Sequence, residues 1–382
     1  MAQGAQPRHA RVAWRSMSMR PVHARPSTAL RRWTTRRWLP VVAALVATSW
    51  RAGCGHLASA ALLSLLPGAW RPGAVALRAQ PEECRGSGEA PSEPPKGLEE
   101  VVSAGDVAGV RQLLEARAPA EPPAEGAVGP LFLAAQAGHE AVIRVLLEAK
   151  ASVDQAIEAG LTPLAAAVES GSEPAVRALL ESRADPGGSG RADSPVFTAA
   201  WEGLEPVVRV LLEHGASANA QSLDGDTALY VAAQEGDEPM VRLLLEARAD
   251  ADMAQADGGT ALYLASHEGH DGVAKALLEF GADADLPAGD GGTPLIAAAQ
   301  NGHGLVAGVL LNARAVPERP AANGATPLTV AAQNGHADTA RMLLECGAQR
   351  DRCRFDGATA LDLALAAGHG PVLQLLRQGL PG

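Results

Sequence analysis

The sequence predicts an all-α repeat solenoid of helix-turn-helix plus hairpin units, preceded by a disordered or helical N-terminal leader. Three observations carry this. Of the 382 residues 47 % are hydrophobic but only 3 % aromatic, which suits close-packed Ala/Leu helices and not a sandwich or barrel built on β-branched and aromatic side chains. A fixed mark, Thr-Pro-Leu or Thr-Ala-Leu, recurs every 33 residues. A Gly and a Leu-Leu pair then follow each mark at constant distance, the signature of a repeat architecture.

The chain divides by charge before it divides by pattern. Residues 1–81 contain twelve Arg, no Lys and no acid, and the first acidic residue is Glu82. From there on 43 acids face 20 bases, a net of −23, so the body is not expected to bind nucleic acid. Four Cys are too few for a disulfide scaffold. Residues 1–37 read as an Arg-rich targeting arm. Residues 38–70 hold two apolar stretches, 38–50 and 52–70, separated by Arg51. Three readings stand for this leader. A cleaved organelle-targeting sequence, for plastid or mitochondrion, fits the acid-free, Ser-containing arm. A membrane anchor through residues 38–70 has a first stretch too short to span and a second at about the minimum length. A secretory signal has a longer arm than usual before its apolar core. Residues 71–96, rich in Pro, Gly, Ser and Glu, read as a disordered linker.

The repeats occupy residues 97–382, about nine units. The marks are Thr162-Pro163-Leu164, Thr227-Ala228-Leu229, Thr260-Ala261-Leu262, Thr293-Pro294-Leu295, Thr326-Pro327-Leu328 and Thr359-Ala360-Leu361. Degenerate copies are Gly129-Pro130-Leu131 and Ser194-Pro195-Val196, and the step from Thr162 to Ser194 is 32 residues, its missing residue falling within 186–190. Thr caps a first helix and Pro takes its first position, where no amide donor is needed. That helix is short and Ala-rich, and a Gly nine residues after the mark ends it (Gly171, Gly203, Gly236, Gly269, Gly302, Gly335). A second helix follows, with apolar residues four apart such as Val142 to Leu146 and Val207 to Leu211, one helical stripe. Gly or small residues come after it, and Asp224-Gly225, Asp257-Gly258, Asp290-Gly291, Asn323-Gly324 and Asp356-Gly357 then form tight turns. One helix pair buries too little alone; stacked pairs share a continuous core. The first unit lacks its opening. Local stability is expected to be lower at residues 187–193 and around Ala127.

Period, opening, Gly and Leu-Leu together resemble the ankyrin repeat, over about three quarters of the chain. One departure is consistent. The family's opening continues into His, whereas here that position holds Phe132, Ala165, Phe197, Tyr230, Tyr263, Ile296, Thr329 and Asp362. The His-centred bonding between units that the resemblance implies is therefore not expected at that position.

No P-loop, dinucleotide fingerprint, nucleophile elbow or zinc-protease helix occurs in the sequence, so no catalytic residue, cofactor or enzyme activity is expected. His270, His303, His336 and His369 share one phase. Their equal spacing strings them along the array, which predicts a structural role and no metal site. Cys346 and Cys353 lack neighbouring ligands at zinc spacing. Asn219 resembles the turn Asn that ankyrin hydroxylases modify, though an ordinary turn residue is the simpler reading.

The resemblance implies a docking surface on the concave side, made by the two residues before each phase Gly and by the turn tips. Carried over, it includes Trp201, Glu202, Asp224, Asp226, Gln234, Glu235, Asp257, His267, Glu268, Gln300 and Asn301. Six of these are acids from neighbouring units, and they surround Trp201, the one Trp beyond residue 70. A large exposed aromatic ringed by acids is a hot-spot pattern; the alternative is that these charges simply solvate the surface and that Trp201 folds back onto the Ala-rich helices. The function expected is a non-catalytic protein–protein interaction adaptor that binds a partner with a basic segment. An organelle-targeted chaperone or targeting factor for other proteins is the alternative, and an enzyme with an unrecognised site a remote one.

Overall fold

The structure is a computed structural model and describes residues 97–378, apart from residues 123, 125 and 159. The arm, apolar segments and linker read at residues 1–96 lie outside the described residues. Among the described residues eighteen helices form nine pairs, without a strand. In chain order the pairs are α1 (Leu98–Ser103) with α2 (Val107–Glu115), α3 (Pro130–Gln136) with α4 (Glu140–Glu148), and α5 (Pro163–Glu169) with α6 (Glu173–Glu181). Then come α7 (Pro195–Trp201) with α8 (Glu205–Glu213), α9 (Ala228–Glu235) with α10 (Glu238–Glu246), and α11 (Ala261–Glu268) with α12 (Asp271–Glu279). The last three are α13 (Pro294–Asn301) with α14 (Gly304–Asn312), α15 (Pro327–Asn334) with α16 (Ala337–Glu345), and α17 (Ala360–Ala367) with α18 (Gly370–Gln378).

Local chemistry sets each boundary. The hydroxyl of Thr162, Ser194, Thr227, Thr260, Thr293, Thr326 or Thr359 accepts from the backbone N–H three residues on, meeting one orphan donor of the first turn. Pro130, Pro163, Pro195, Pro294 and Pro327 open their helices. Gly236, Gly269, Gly302, Gly335 and Gly368 close theirs in the left-handed region, φ +74 to +89°. The Asp-Gly turns close on themselves: Gln255 N donates to Gly259 O at 2.9 Å, and Gly259 N donates to Asp257 Oδ1 at 2.9 Å. Only two isolated bridges, Gln221 to Thr227 and Cys353 to Thr359, lie outside helices among the described residues.

First helices pack on neighbouring first helices and on their own second helices, and second helices pack on neighbouring second helices. Ala134, Ala167, Ala199, Ala232, Ala265, Ala298 and Ala331 are buried where first helices meet, and Leu146, Leu179, Leu211, Leu244, Leu277, Leu310 and Leu343 fill the layer beneath. One apolar cluster runs through all nine pairs. Second helices carry their charge outward. Arg144, Arg177, Arg209 and Arg242 each pair with the Glu four residues before them, and Arg144 and Arg242 also reach Glu181 and Glu279 of the following pair.

The residue after the second helix's C-cap is left-handed in every internal pair. Gly215, Gly281 and Gly347 serve this position in three, but Arg117, Lys150, Arg183, Arg248 and Arg314 hold it elsewhere with φ of +64 to +68°. The sequence reading expects Gly or a small residue there. A left-handed L-residue costs about 1–2 kcal/mol, and a cation at a helix C-terminus recovers part of that through the helix dipole. Among the described residues no helix is long and apolar enough to cross a membrane.

Candidate protein-docking site

The side chains assigned to docking stand at the C-terminal ends of successive first helices and on the turns between pairs. Trp201 ends α7 and Glu202 caps it; Gln234 and Glu235 end α9, His267 and Glu268 end α11, Gln300 and Asn301 end α13. The turns add Asp224, Asp226 and Asp257. Glu202, Asp224, Glu235, Asp257 and Glu268 are exposed, while Trp201, Asp226, Gln234, His267, Gln300 and Asn301 are half-buried.

Two of these are less free than an exposed docking residue. Trp201 lies between the two sequence readings, half-buried, with its ring 6.0 Å from that of Phe197, one helical turn earlier, at a tilt of 32°. The i, i+4 spacing on α7 brings the rings together. Asn301 is partly committed to the fold, because its amide donates to His267 O at 2.9 Å. Asn219 likewise holds a neighbouring turn, accepting from Asp250 N at 2.8 Å.

Beneath this row lies a second one made of backbone. The Nε2 of His139, His270, His303, His336 and His369 contacts the carbonyl oxygen of Ser103, Gln234, His267, Gln300 and Gln333 at 3.0–3.2 Å. Each of the last four rings also presses on the phase Gly of the preceding pair. A Cβ on Gly236, Gly269, Gly302 or Gly335 would fall 2.5–2.7 Å from the ring's Nδ1. The four in-phase His are therefore inter-unit rungs. Among the described residues no group of three or more potential ligands could hold a metal. The position where the family places its His does other work. Phe132, Phe197 and Ile296 are buried there, and Thr329 and Asp362 complete capping boxes with Thr326 and Thr359.

Charge is segregated between the two layers. The first helices α9 and α11, the C-cap of α7 and the turns 221–226, 254–259 and 287–292 carry acids, and none of these segments, nor α7 or α13, contains Lys or Arg. The Lys and Arg of residues 194–292 sit on second helices or just after them, while the turn before α7 carries Arg191. Tyr263, treated in the sequence reading only as a departure from the family opening, belongs to this acidic layer. Its phenol is pushed up to about 12, first by burial and then by Asp290 and Asp257. The signal for it was available: the two Tyr of the chain, Tyr230 and Tyr263, occupy one phase in adjacent units.

An array of stacked helix pairs, with side chains projected from a regular scaffold, is the construction of a repeat interaction module. The profile of ankyrin repeats (three copies) matches residues 98–189, 187–255, 232–319 and 310–380. The chain belongs to the ankyrin repeat family, whose arrays are protein–protein interaction modules and typically not enzymes. No curated protein matches the chain.

Proposed function

We propose that the protein is a non-catalytic adaptor that takes a basic segment of a partner protein across the acidic face of α7, α9, α11 and α13, with Trp201 as the apolar anchor. The supporting observation is the segregation of charge. Over three successive pairs the first-helix ends and the turns that follow carry Glu202, Asp224, Asp226, Glu235, Asp257 and Glu268 without one Lys or Arg, while the Arg residues of the same pairs are held on the second helices or just after them. Such a face attracts Lys- and Arg-rich chains and speeds their encounter. A half-buried indole supplies the contact area that charge alone does not.

The test selects peptides on the full-length protein from a random library. Selected peptides are expected to be rich in Arg and Lys and to weaken as salt rises and the screening length falls below about 8 Å. Trp201→Ala should weaken them at least about 30-fold, the size of a hot-spot loss of about 2 kcal/mol, and Glu235→Lys should do so through repulsion. Arg209→Ala, on the second-helix layer, should leave them unchanged. Peptides indifferent to both face variants would refute the assignment.

A further inference from the structure

We infer that the array has a built-in seam between α6 and α7, so that residues 97–193 and residues 194–378 uncouple as separate cooperative blocks. In a stacked array each unit is held only by its neighbours, so stability is a sum of unit and interface contributions. The interfaces here are not equal. Two ladders of polar rungs run along the array, and both are broken at this place.

The first ladder is the His-to-carbonyl series. Its position, just after the phase Gly, holds His139, Ser172, Leu204, Asp237, His270, His303, His336 and His369 in turn. Ser172 substitutes, its Oγ donating to Gly138 O at 3.3 Å. Leu204 has no polar atom; it packs against the apolar core, its Cδ atoms 3.6–3.8 Å from where a Cβ on Gly171 would stand. Asp237 turns to its own helix and accepts from Met240 N at 3.1 Å.

The second ladder joins the loops that follow the second helices. A side-chain oxygen in one loop accepts from a backbone N–H in the next, 31 residues on. The rungs are Glu121 to Ser152, Asp154 to Asp185, Asn219 to Asp250, Asp252 to Asp283, Asp285 to Val316 and Glu318 to Gln349, all 2.7–3.0 Å at their closest. The position in phase between Asp154 and Asn219 is Gly187, which has no side chain to offer. It lies in the loop from which the 32-residue step has lost a residue. Across this one interface both ladders lack a rung. The loops and second helices share there Leu223 N on Asp193 Oδ1 at 2.9 Å and the half-exposed Arg177–Glu213 pair at 3.9 Å, the latter a weak contribution. The three interfaces from α9 to α15 each carry a His rung and a loop rung, and the next carries the His369 rung. The inference does not depend on what the acidic face binds, although Trp201 stands on the first helix after the seam.

The experiment is hydrogen exchange by mass spectrometry on the full-length protein across a urea series. Peptides from residues 130–182 are expected to lose protection at lower urea than peptides from residues 261–345. The variant Gly187→Asp/Leu204→His supplies both absent rungs. Gly187 is not in the left-handed region, and its Cβ would meet the side chain of Asp185, with Oδ1 at 3.3 Å, a tight contact that the exposed Asp185 relieves by shifting a few tenths of an ångström. This variant should draw the two midpoints together. As a control, His303→Ala should lower the midpoint of residues 261–345 and leave residues 130–182 where they were. Loss of protection in both segments at one urea concentration in the unaltered protein would overturn the seam. So would a Gly187→Asp/Leu204→His protein that folds but keeps the two midpoints as far apart as before.

Discussion

Replacing Gly302 by Ala isolates one rung of the array with an internal reference. Gly302 and Gly203 occupy the same place in their units, with φ of +77° and +70°. Ala at either site therefore bears the same left-handed penalty of about 1–2 kcal/mol. Their surroundings differ. A Cβ at Gly302 would stand 2.5 Å from His336 Nδ1, whereas a Cβ at Gly203 meets nothing within 4 Å. The His336 ring must then move, and its contact with Gln300 O at 3.0 Å is lost, a further net cost of about 0.5–1.5 kcal/mol. Gly302→Ala should thus cost roughly 1 kcal/mol more than Gly203→Ala. The assay is protection of residues 327–345 in the full-length protein for the first variant and of residues 205–213 for the second. In a His336→Ala background the excess at Gly302 should vanish, because the ring that collides is gone. Equal losses at the two glycines, or an excess that survives His336→Ala, would refute the reasoning.

Two further expectations concern single groups. Because the Tyr263 phenol is raised to about 12 from 10.0, the unfolded chain loses this proton first. The stability it contributes is whole below pH 10 and falls as pH climbs from there towards 12. Asp290→Asn should lower its midpoint, read as phenolate absorbance against Tyr230, and an unmoved midpoint would exclude Asp290 as a cause. Thr293 is fully buried and its hydroxyl accepts from Ile296 N at 3.3 Å. Thr293→Ala should cost about 1–2 kcal/mol in urea unfolding, with most of it restored by Thr293→Ser. A loss equally large in Thr293→Ser would point to packing and not capping.

The scaffold was legible because its rules are local. A hydroxyl three residues from an amide, a Pro at a first helical position and a Gly at a left-handed end are each fixed by residues within a turn of one another, and the sequence reading placed all three. The structural role of the four in-phase His was legible from their spacing, but not their acceptors. A carbonyl 36 residues away carries no side-chain signature, and the opening where the family resemblance implies His instead holds residues that cap or fill. The loop ladder was hidden for the same reason, since its donors are backbone amides and its acceptors vary among Glu, Asp and Asn. Trp201 was placed correctly at a helix end, yet its half-burial needed Phe197, which the reading considered only as a departure. The left-handed Arg and Lys residues were missed because a Gly was expected. Their signal is that they alternate, in phase, with Gly215, Gly281 and Gly347.

The His rungs end on main-chain oxygen, which every amino acid supplies alike. Whichever side chain stands above that oxygen, be it Ser103, Gln234, His267 or Gln333, the bond below is indifferent to it. Mechanical cohesion and surface vocabulary are thereby written in separate alphabets. A lineage or an engineer can revise the outward letters at these positions, or copy a whole unit beside another, without renegotiating the grip between neighbours.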